Sequence, residues 1–222
     1  MKLLHIVAAA ALLVSAGGAW AQSAGTFQVR VGVTNIDPSV SSGDLSPPSP
    51  AGTKVDVNDN TQPGGGITYM VTDHLALDLP LATPFTHDIS GAGAIAGVGK
   101  LGQTKSLPMT LLLEYRFRDA AAKFRPYLGG GLTYAKFYKE RSTNVLSGLT
   151  GGTPDNPTTL SIGSKFAPTL VIGAVYAFSD HWFAEGMVTK TFIKATTTLS
   201  TGQTIGTRLD PTMVTLAVGY RF

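Results

Sequence analysis

The feature that most constrains this chain is strict alternation of apolar and polar residues, in runs separated by connections that are alternately short and long. Phe27, Val29, Val31 and Val33 alternate with Gln28, Arg30, Gly32 and Thr34. Leu75, Leu77, Leu79 and Leu81 alternate with His74, Ala76, Asp78 and Pro80, while Leu107, Met109, Leu111, Leu113, Tyr115 and Phe117 alternate with a face carrying Thr110, Glu114 and Arg116. Successive side chains of a strand point to opposite faces, so each run is a strand that is apolar on one side only. The pattern continues through Ile67, Tyr69 and Val71; Phe124, Leu128, Leu132 and Tyr134; and Leu170, Ile172, Tyr176 and Phe178. It ends with Trp182, Ala184 and Val188, then Val214, Leu216, Val218, Tyr220 and Phe222. That makes about eight strands, an even number and the smallest usual size of an outer-membrane barrel. Lys136, between Tyr134 and Tyr138, falls on the apolar face, which implies either a bulge or the end of the membrane band.

The connections indicate which side of the membrane each strand end occupies. Residues 72–74, 118–123 and 179–181 are tight, whereas 37–58, 86–105, 141–160 and 194–207 are long and rich in Gly, Ser, Thr, Pro and Asn. Short turns on one rim and long loops on the other define a transmembrane barrel. Aromatics follow the same division. Phe27, Tyr69, Tyr115, Phe117, Phe124, Tyr127, Tyr176, Phe178, Trp182, Phe183, Tyr220 and Phe222 fall at the tight-turn ends and predict one girdle. Phe85, Tyr134, Phe137, Tyr138, Phe166 and Phe192 predict a sparser second belt. A soluble barrel with the faces inverted would have to pack the first group into one end of a small interior. The expected fold is therefore all-β, an eight-stranded antiparallel transmembrane β-barrel with short periplasmic turns and long extracellular loops.

Composition fits this class. Charged residues make up 14% of the chain against roughly 25% in soluble proteins, so its surface is short of charge. The net charge of +3 comes from singly scattered Lys and Arg and predicts no nucleic-acid partner. The absence of cysteine excludes disulfides and thiol chemistry. Met1-Lys2, the apolar stretch to Val14 and the Ala19-Trp20-Ala21 ending read as a signal peptide over residues 1–21, cleaved to leave Gln22 first and a barrel over 22–222. The apolar run is shorter than the roughly 20 residues a spanning helix needs.

Several motifs carry a family resemblance. Ala82-Thr83-Pro84-Phe85 is followed by His87-Asp88-Ile89, then by Gly99-Lys100, Leu107-Pro108 and Thr110-Leu111. Lys123-Phe124-Arg125-Pro126-Tyr127 precedes Gly129 and Gly131, and the chain closes with Arg208-Leu209-Asp210-Pro211 and Gly219-Tyr220-Arg221-Phe222. In order and spacing these resemble the OmpW family, which includes AlkL-type alkane-uptake proteins. The resemblance implies an outer-membrane barrel associated with passage of small hydrophobic molecules, surrounded by outer-membrane lipid. Tyr220 and Phe222 match the terminal aromatic signal read by the assembly machinery in such families.

If the apolar face meets lipid, the alternate residues line the lumen. Near the tight turns these are Arg30, Asp78, Glu114, Arg116, Arg125, Glu185 and Arg221; toward the loops they are mostly Gly, Thr and Met213. Confined charges must pair, because an unpaired buried charge is very costly. They form either a plug or only the filling of a closed core. A hydrophobic solute stopped by a plug would have to leave sideways. Pro63, Pro80, Pro108 and Pro168 cannot donate ladder hydrogen bonds, so they mark either a wall able to part or bulges that shape the rim. Lateral exit would come at Pro63, Pro80 and Pro108. No HExxH, GxSxG or phosphate-binding loop occurs, His74 and His181 sit in tight turns, and no catalytic group, metal or cofactor is expected. The expected function is a porin-like channel for passive uptake of small hydrophobic molecules; the alternative is a surface receptor or structural barrel without transport.

Overall fold

The computed structural model describes residues 22–222, and the leader expected over residues 1–21 lies outside them. In chain order the elements are β1 (Phe27–Asp37), β2 (Ser41–Ser42), β3 (Thr53–Val57), β4 (Asn60–Met70), β5 (Leu75–Ala82), β6 (Phe85–Gly93), β7 (Lys100–Arg116) and β8 (Phe124–Ser142). A short helix α1 (Asn144–Thr150) follows, then β9 (Leu160–Ile162), β10 (Lys165–Ala177), β11 (Trp182–Thr191), β12 (Lys194–Leu199), β13 (Thr204–Arg208) and β14 (Thr212–Arg221). Strands β1, β4, β5, β7, β8, β10, β11 and β14 form a closed antiparallel ring, each paired with the next and β14 returning to β1. Closure extends to the last residue, since the Phe222 amide donates to the Phe27 carbonyl at 2.9 Å.

The faces follow the alternation. Val31 is 71% exposed and its neighbour Arg30 is 3% exposed. Val33, Leu81, Met109, Leu132, Phe166 and Phe192 bound the outward apolar band on the loop side, and Phe27, Tyr115, Phe124, Trp182 and Phe222 bound it on the turn side. On β7 the band runs from Leu107 to beyond Tyr115, about the length a tilted strand needs to cross hydrocarbon. Residues 100–106 and all of β6 stand above it. Lys136 is outward and exposed opposite Leu107, at the upper limit of the band; the register shift comes higher, between Gln103 and Lys105.

Three aromatics depart from the expected girdles. Tyr127 and Phe183 are each 1% exposed, and Phe85 is fully buried, because they share the inward parity of Arg125, Glu185 and His87 respectively. Glycines make room for two of them. A Cβ at Gly219 would overlap the Phe183 ring, and one at Gly173 would overlap the Tyr127 phenol.

The long connections are also more ordered than loop composition suggested. Residues 86–105 are largely the hairpin of β6 with the upper half of β7, 194–207 is the hairpin of β12 with β13, and 141–160 contains α1. The helix starts on Thr143, whose hydroxyl accepts from the Leu146 amide, and stops at Gly151 in the left-handed region (φ +81°). A second sheet in the order β2-β13-β12-β9 bends over the barrel mouth. Leu45, Leu101, Leu146, Leu199 and Ile205 form an apolar cluster beneath it.

Gly219→Val should force Phe183 off its site and cost on the order of 1–3 kcal/mol, the usual range for overpacking. A lower urea midpoint for refolded barrel, followed by heat-modifiable gel mobility, is the expected result.

Candidate functional site

The lumen is stratified, and its lowest layer is charged. The Arg30 guanidinium donates through both Nη atoms to the two oxygens of Asp78, each at 2.7 Å, while its Nε lies 3.1 Å from Glu185 Oε2 as an ion pair. Thr68 donates to Asp78 at 2.6 Å, and the Tyr127 hydroxyl donates to Glu185 at 2.5 Å. Arg116 stands 5.4 Å over the Tyr127 ring, pairs with Glu114 at 3.3 Å, and donates to the side-chain oxygens of Gln22 (2.8 Å) and Gln28 (2.9 Å). All these side chains are buried. A glycine permits the packing here too, since a Cβ at Gly66 would lie 2.7 Å from the Arg30 guanidinium carbon.

Of the seven charged residues expected in one layer, the structure brings together Arg30, Asp78, Glu114, Arg116 and Glu185. Arg125 and Arg221 bind backbone carbonyls of the tight turns rather than the carboxylates of this layer: Arg125 donates to the carbonyls of Gln22, Asp73, Phe117 and Arg118, and Arg221 to those of Ser179 and Asp180. Gln22, Gln28, Thr68 and Tyr127 belong to the network and were absent from the sequence assignment. Inward parity with Arg30 and Arg125 marks Gln28 and Tyr127; nothing in the alternation marks Gln22, which precedes β1.

Above the charges lies a layer of threonines. Thr110, Thr133, Thr169 and Thr191 form a continuous hydroxyl chain with steps of 2.8, 2.6 and 2.9 Å, and Thr34 bonds Thr215 at 2.9 Å. Each hydroxyl is satisfied by another, so this layer is polar but uncharged. Over it opens a cavity of about 320 Å³ lined mainly by apolar side chains, among them Ile36, Val55, Ile89, Leu146, Ile193 and Leu209. The upper lumen is thus walled by residues of the connections as well as by strand residues such as Thr133, Ala135, Thr191 and Met213, and the strand glycines expected there do not line it.

One seam of the barrel wall is interrupted. Strand β5 pairs with β7 from Leu75↔Tyr115 to Asp78↔Leu112, and β6 pairs with β7 from Phe85↔Ser106 upward. Among the described residues no rung joins 79–84 to 107–111, although β5 remains paired with β4 as far as Ala82. Pro80, Pro84 and Pro108 all lie in that stretch. Leu79, Leu81, Met109 and Leu111 face outward from it into the apolar band. On the lumen side a pocket of about 20 Å³ touches Pro80, Leu81, Ala82 and Pro108, and both Pro108 and Met213 also line the larger cavity. Pro63 lies elsewhere: it pairs with Val33 in the continuous β1–β4 ladder, and its carbonyl accepts from the Thr83 amide. Pro168 likewise sits in the continuous β8–β10 ladder. The sequence assignment did not include Pro84.

His87 stands in the extracellular extension, with Nδ1 bonded to the Asn58 carbonyl and Nε2 to Ser106. Burial pushes its imidazole below the ordinary value, opposed by the Asn58 carbonyl and by Asp59 and Asp88.

A closed eight-stranded barrel with an outward apolar band, short turns on one rim and a folded cap on the other is an outer-membrane protein. Residues 23–222 match the OmpW family, and the chain belongs to it. It is 32% identical over 212 residues to Outer membrane protein W of Vibrio cholerae serotype O1, with 94% of each chain covered. It is 25% identical over 207 residues, 91% of each chain, to the dibenzothiophene metabolism operon protein PahQ of Pseudomonas aeruginosa. The crystal structure of the outer membrane protein OprG from Pseudomonas aeruginosa superposes with a TM-score of 0.82 at 28% identity, covering 92% of this chain and 99% of that one.

Arg30→Met leaves Asp78 and Glu185 buried without their cation and should destabilise the barrel by about 3–5 kcal/mol, whereas Arg30→Met with Asp78→Leu should recover part of the loss. Urea unfolding of the two variants in the same lipid checks this. The extracellular cap should respond to acid through His87. Its folded-state value is depressed, so the unfolded cap takes up the extra proton first, and stability present above about pH 6.5 is lost as pH falls below that value. Protection factors over residues 85–106, corrected for the intrinsic pH dependence of amide exchange, should fall at acid pH in the native protein and lose that dependence in His87→Gln.

Proposed function

We propose that the protein admits small hydrophobic molecules passively into the extracellular cavity and releases them sideways through the interrupted seam between β5 and β7 into the membrane. The observation that carries this reading is continuity: Pro108 and Met213 line both the apolar cavity and the small pocket behind the seam. Transfer of an apolar solute from water into such a cavity is favourable by roughly 25 cal/mol per Å² of surface removed from water. Below the threonines the Arg30, Asp78, Glu185, Glu114 and Arg116 network serves as a plug, offering such a solute no apolar continuation. Pro80, Pro84 and Pro108 leave fewer donors to be stranded in lipid when the seam opens. The name of PahQ, a relative from a dibenzothiophene metabolism operon, supports an apolar cargo. The same reading includes export by the leader over residues 1–21, insertion aided by the terminal Tyr220 and Phe222, and no catalysis.

The native chain has no cysteine, which makes cross-linking specific. Leu81→Cys and Met109→Cys both face lipid beside the seam. Joining them with a short, reducible thiol cross-linker should abolish protein-dependent uptake of decane by cells, and reduction should restore it. The same linker between Val33→Cys and Leu216→Cys, partners in the continuous β1–β14 ladder, should have no effect. Normal uptake by the seam-linked barrel would rule out this exit; equal uptake by cells with and without the protein would favour a receptor or structural role.

A further inference from the structure

The outer surface of the β7–β8 ladder changes character just above the apolar band. Outward residues climb it in facing pairs: Met109 with Tyr134, Leu107 with Lys136, Lys105 with Tyr138 and Gln103 with Arg141. The last pair depends on a bulge. The register shift leaves both Lys139 and Glu140 opposite Thr104, and Lys139 takes the left-handed region (φ +54°), which is uncommon for a residue with a side chain. Uninterrupted alternation from Lys136 and Tyr138 would bring Glu140 outward. The extra residue brings Arg141 there instead, and Glu140 turns to β9, where its Oε1 accepts from the Ile162 amide at 3.4 Å. Lys105, Lys136 and Arg141 thus share one face, and among the described residues none of them lies within ion-pair distance of a carboxylate. Asp88, which neighbours Gln103 on β6, is held by Lys100 at 2.7 Å and by Gln103 at 2.9 Å. Like charges on adjacent strands repel, so this column is left to an anion from outside the chain.

We propose that this face is a binding site for a phosphorylated lipid of the outer leaflet. Lys136 lies level with Leu107, and Lys105 stands two residues higher, about 5 Å once the strand tilt is allowed for. That is the level of the headgroups, which add roughly 5–8 Å to each side of the hydrocarbon. Lys105 and Lys136 are diagonal neighbours on adjacent strands, about 7–8 Å apart, close enough for both ammonium groups to hold one phosphate. Arg141 sits above them with a guanidinium suited to two phosphate oxygens at once. Below, the acyl chains meet Met109 and Leu111 on β7, Leu132 on β8 and Phe166 on β10, which is 73% exposed and whose ring stands 4.8 Å from that of Tyr134. Phosphate and chain together, rather than charge alone, select a lipid over a free phosphate. The site lies on the outside of the barrel wall and stands or falls separately from the uptake route.

The test is native mass spectrometry of the purified, folded barrel titrated in detergent with lipid A, a diphosphorylated lipid of this leaflet, and with the same lipid after removal of its phosphates. The native protein should bind the phosphorylated form more tightly. Lys105→Gln with Lys136→Gln should weaken that binding by roughly 25-fold, about 5-fold for each cation near a membrane surface, and Arg141→Gln alone should weaken it about 5-fold. Lys123→Gln with Lys194→Gln removes the same charge from exposed lysines on the turn rim and on β12, and should leave binding unchanged. Heat-modifiable mobility of each variant establishes that the barrel is folded. Equal losses in the two double variants would reveal only a diffuse attraction to positive charge, and equal affinity for the two lipids would leave the cations without a role. Displacement of the lipid by inorganic phosphate would mark a free-anion site instead. Any of these results, or unchanged binding by the folded Lys105→Gln and Lys136→Gln variant, would overturn the proposal.

Discussion

Hydrocarbon contains nothing that hydrogen-bonds to a peptide group, so every N–H and C=O inside the bilayer must find a partner within the protein. That demand closes the ring of eight strands and binds Phe222 to Phe27. It also makes the outward face apolar at every second residue, and hence fixes what the inward face must accommodate. The break between 79–84 and 107–111 departs from this rule at membrane depth. It is tolerable where prolines reduce the number of donors and where leucines and Met109 shield the backbone from outside. A wall that departs from its governing constraint at one place, and fills that place with residues suited to the departure, is a local specialisation of an otherwise uniform barrel.

The interior answers a second demand, that an eight-stranded barrel be filled. Toward the turns it is filled by long charged chains whose guanidinium groups each meet several oxygens. Arg30 engages two carboxylates and Thr68, and Arg116 engages one carboxylate and two amides. Glycines at 66, 173 and 219 provide the space. Above the threonine chain the strands no longer meet across the lumen, and the connections take over as walls. The change from charge to hydroxyl to hydrocarbon along the axis thus follows from which part of the chain supplies the lining at each height.

Much of this was legible in the sequence because side-chain parity is a rigid property of strands. Parity separates Arg30 from Val31 and Glu114 from Leu113, and it identifies the pairing layer before any distance is known. Where composition was preferred to parity, the reading failed: Tyr127, Phe183 and Phe85 look like girdle residues by type, yet their positions turn them inward. Arg125 and Arg221 have the right parity but bind backbone carbonyls of the turns rather than the central carboxylates, a matter of height that alternation does not encode. The folded cap was illegible for another reason. Its strands are short, and Leu45, Leu101, Leu146, Leu199 and Ile205 meet only through tertiary packing. Prolines likewise signal a missing donor without saying whether the neighbouring ladder continues, which separates Pro63 from Pro80 and Pro108.

The energetics of a sideways exit rest on the same constraint that builds the barrel. Parting an intact seam over five or six residues would strand several N–H and C=O groups in lipid, at a cost of several kcal/mol for each. In the β5–β7 seam no ladder rung remains between 79–84 and 107–111, and Pro80, Pro84 and Pro108 have no N–H to strand, so the added cost of separation falls mainly on side-chain packing. A solute already in the cavity has left water, and moving it from one apolar surrounding to another changes little of its solvation energy. Downward movement is different, because it must separate Arg30 from Asp78 and Glu185, groups whose burial is tolerable only while they are paired. On the uptake route proposed above, the lower lumen would be closed by electrostatics and the side wall only by packing, which ranks the two routes without reference to a particular cargo.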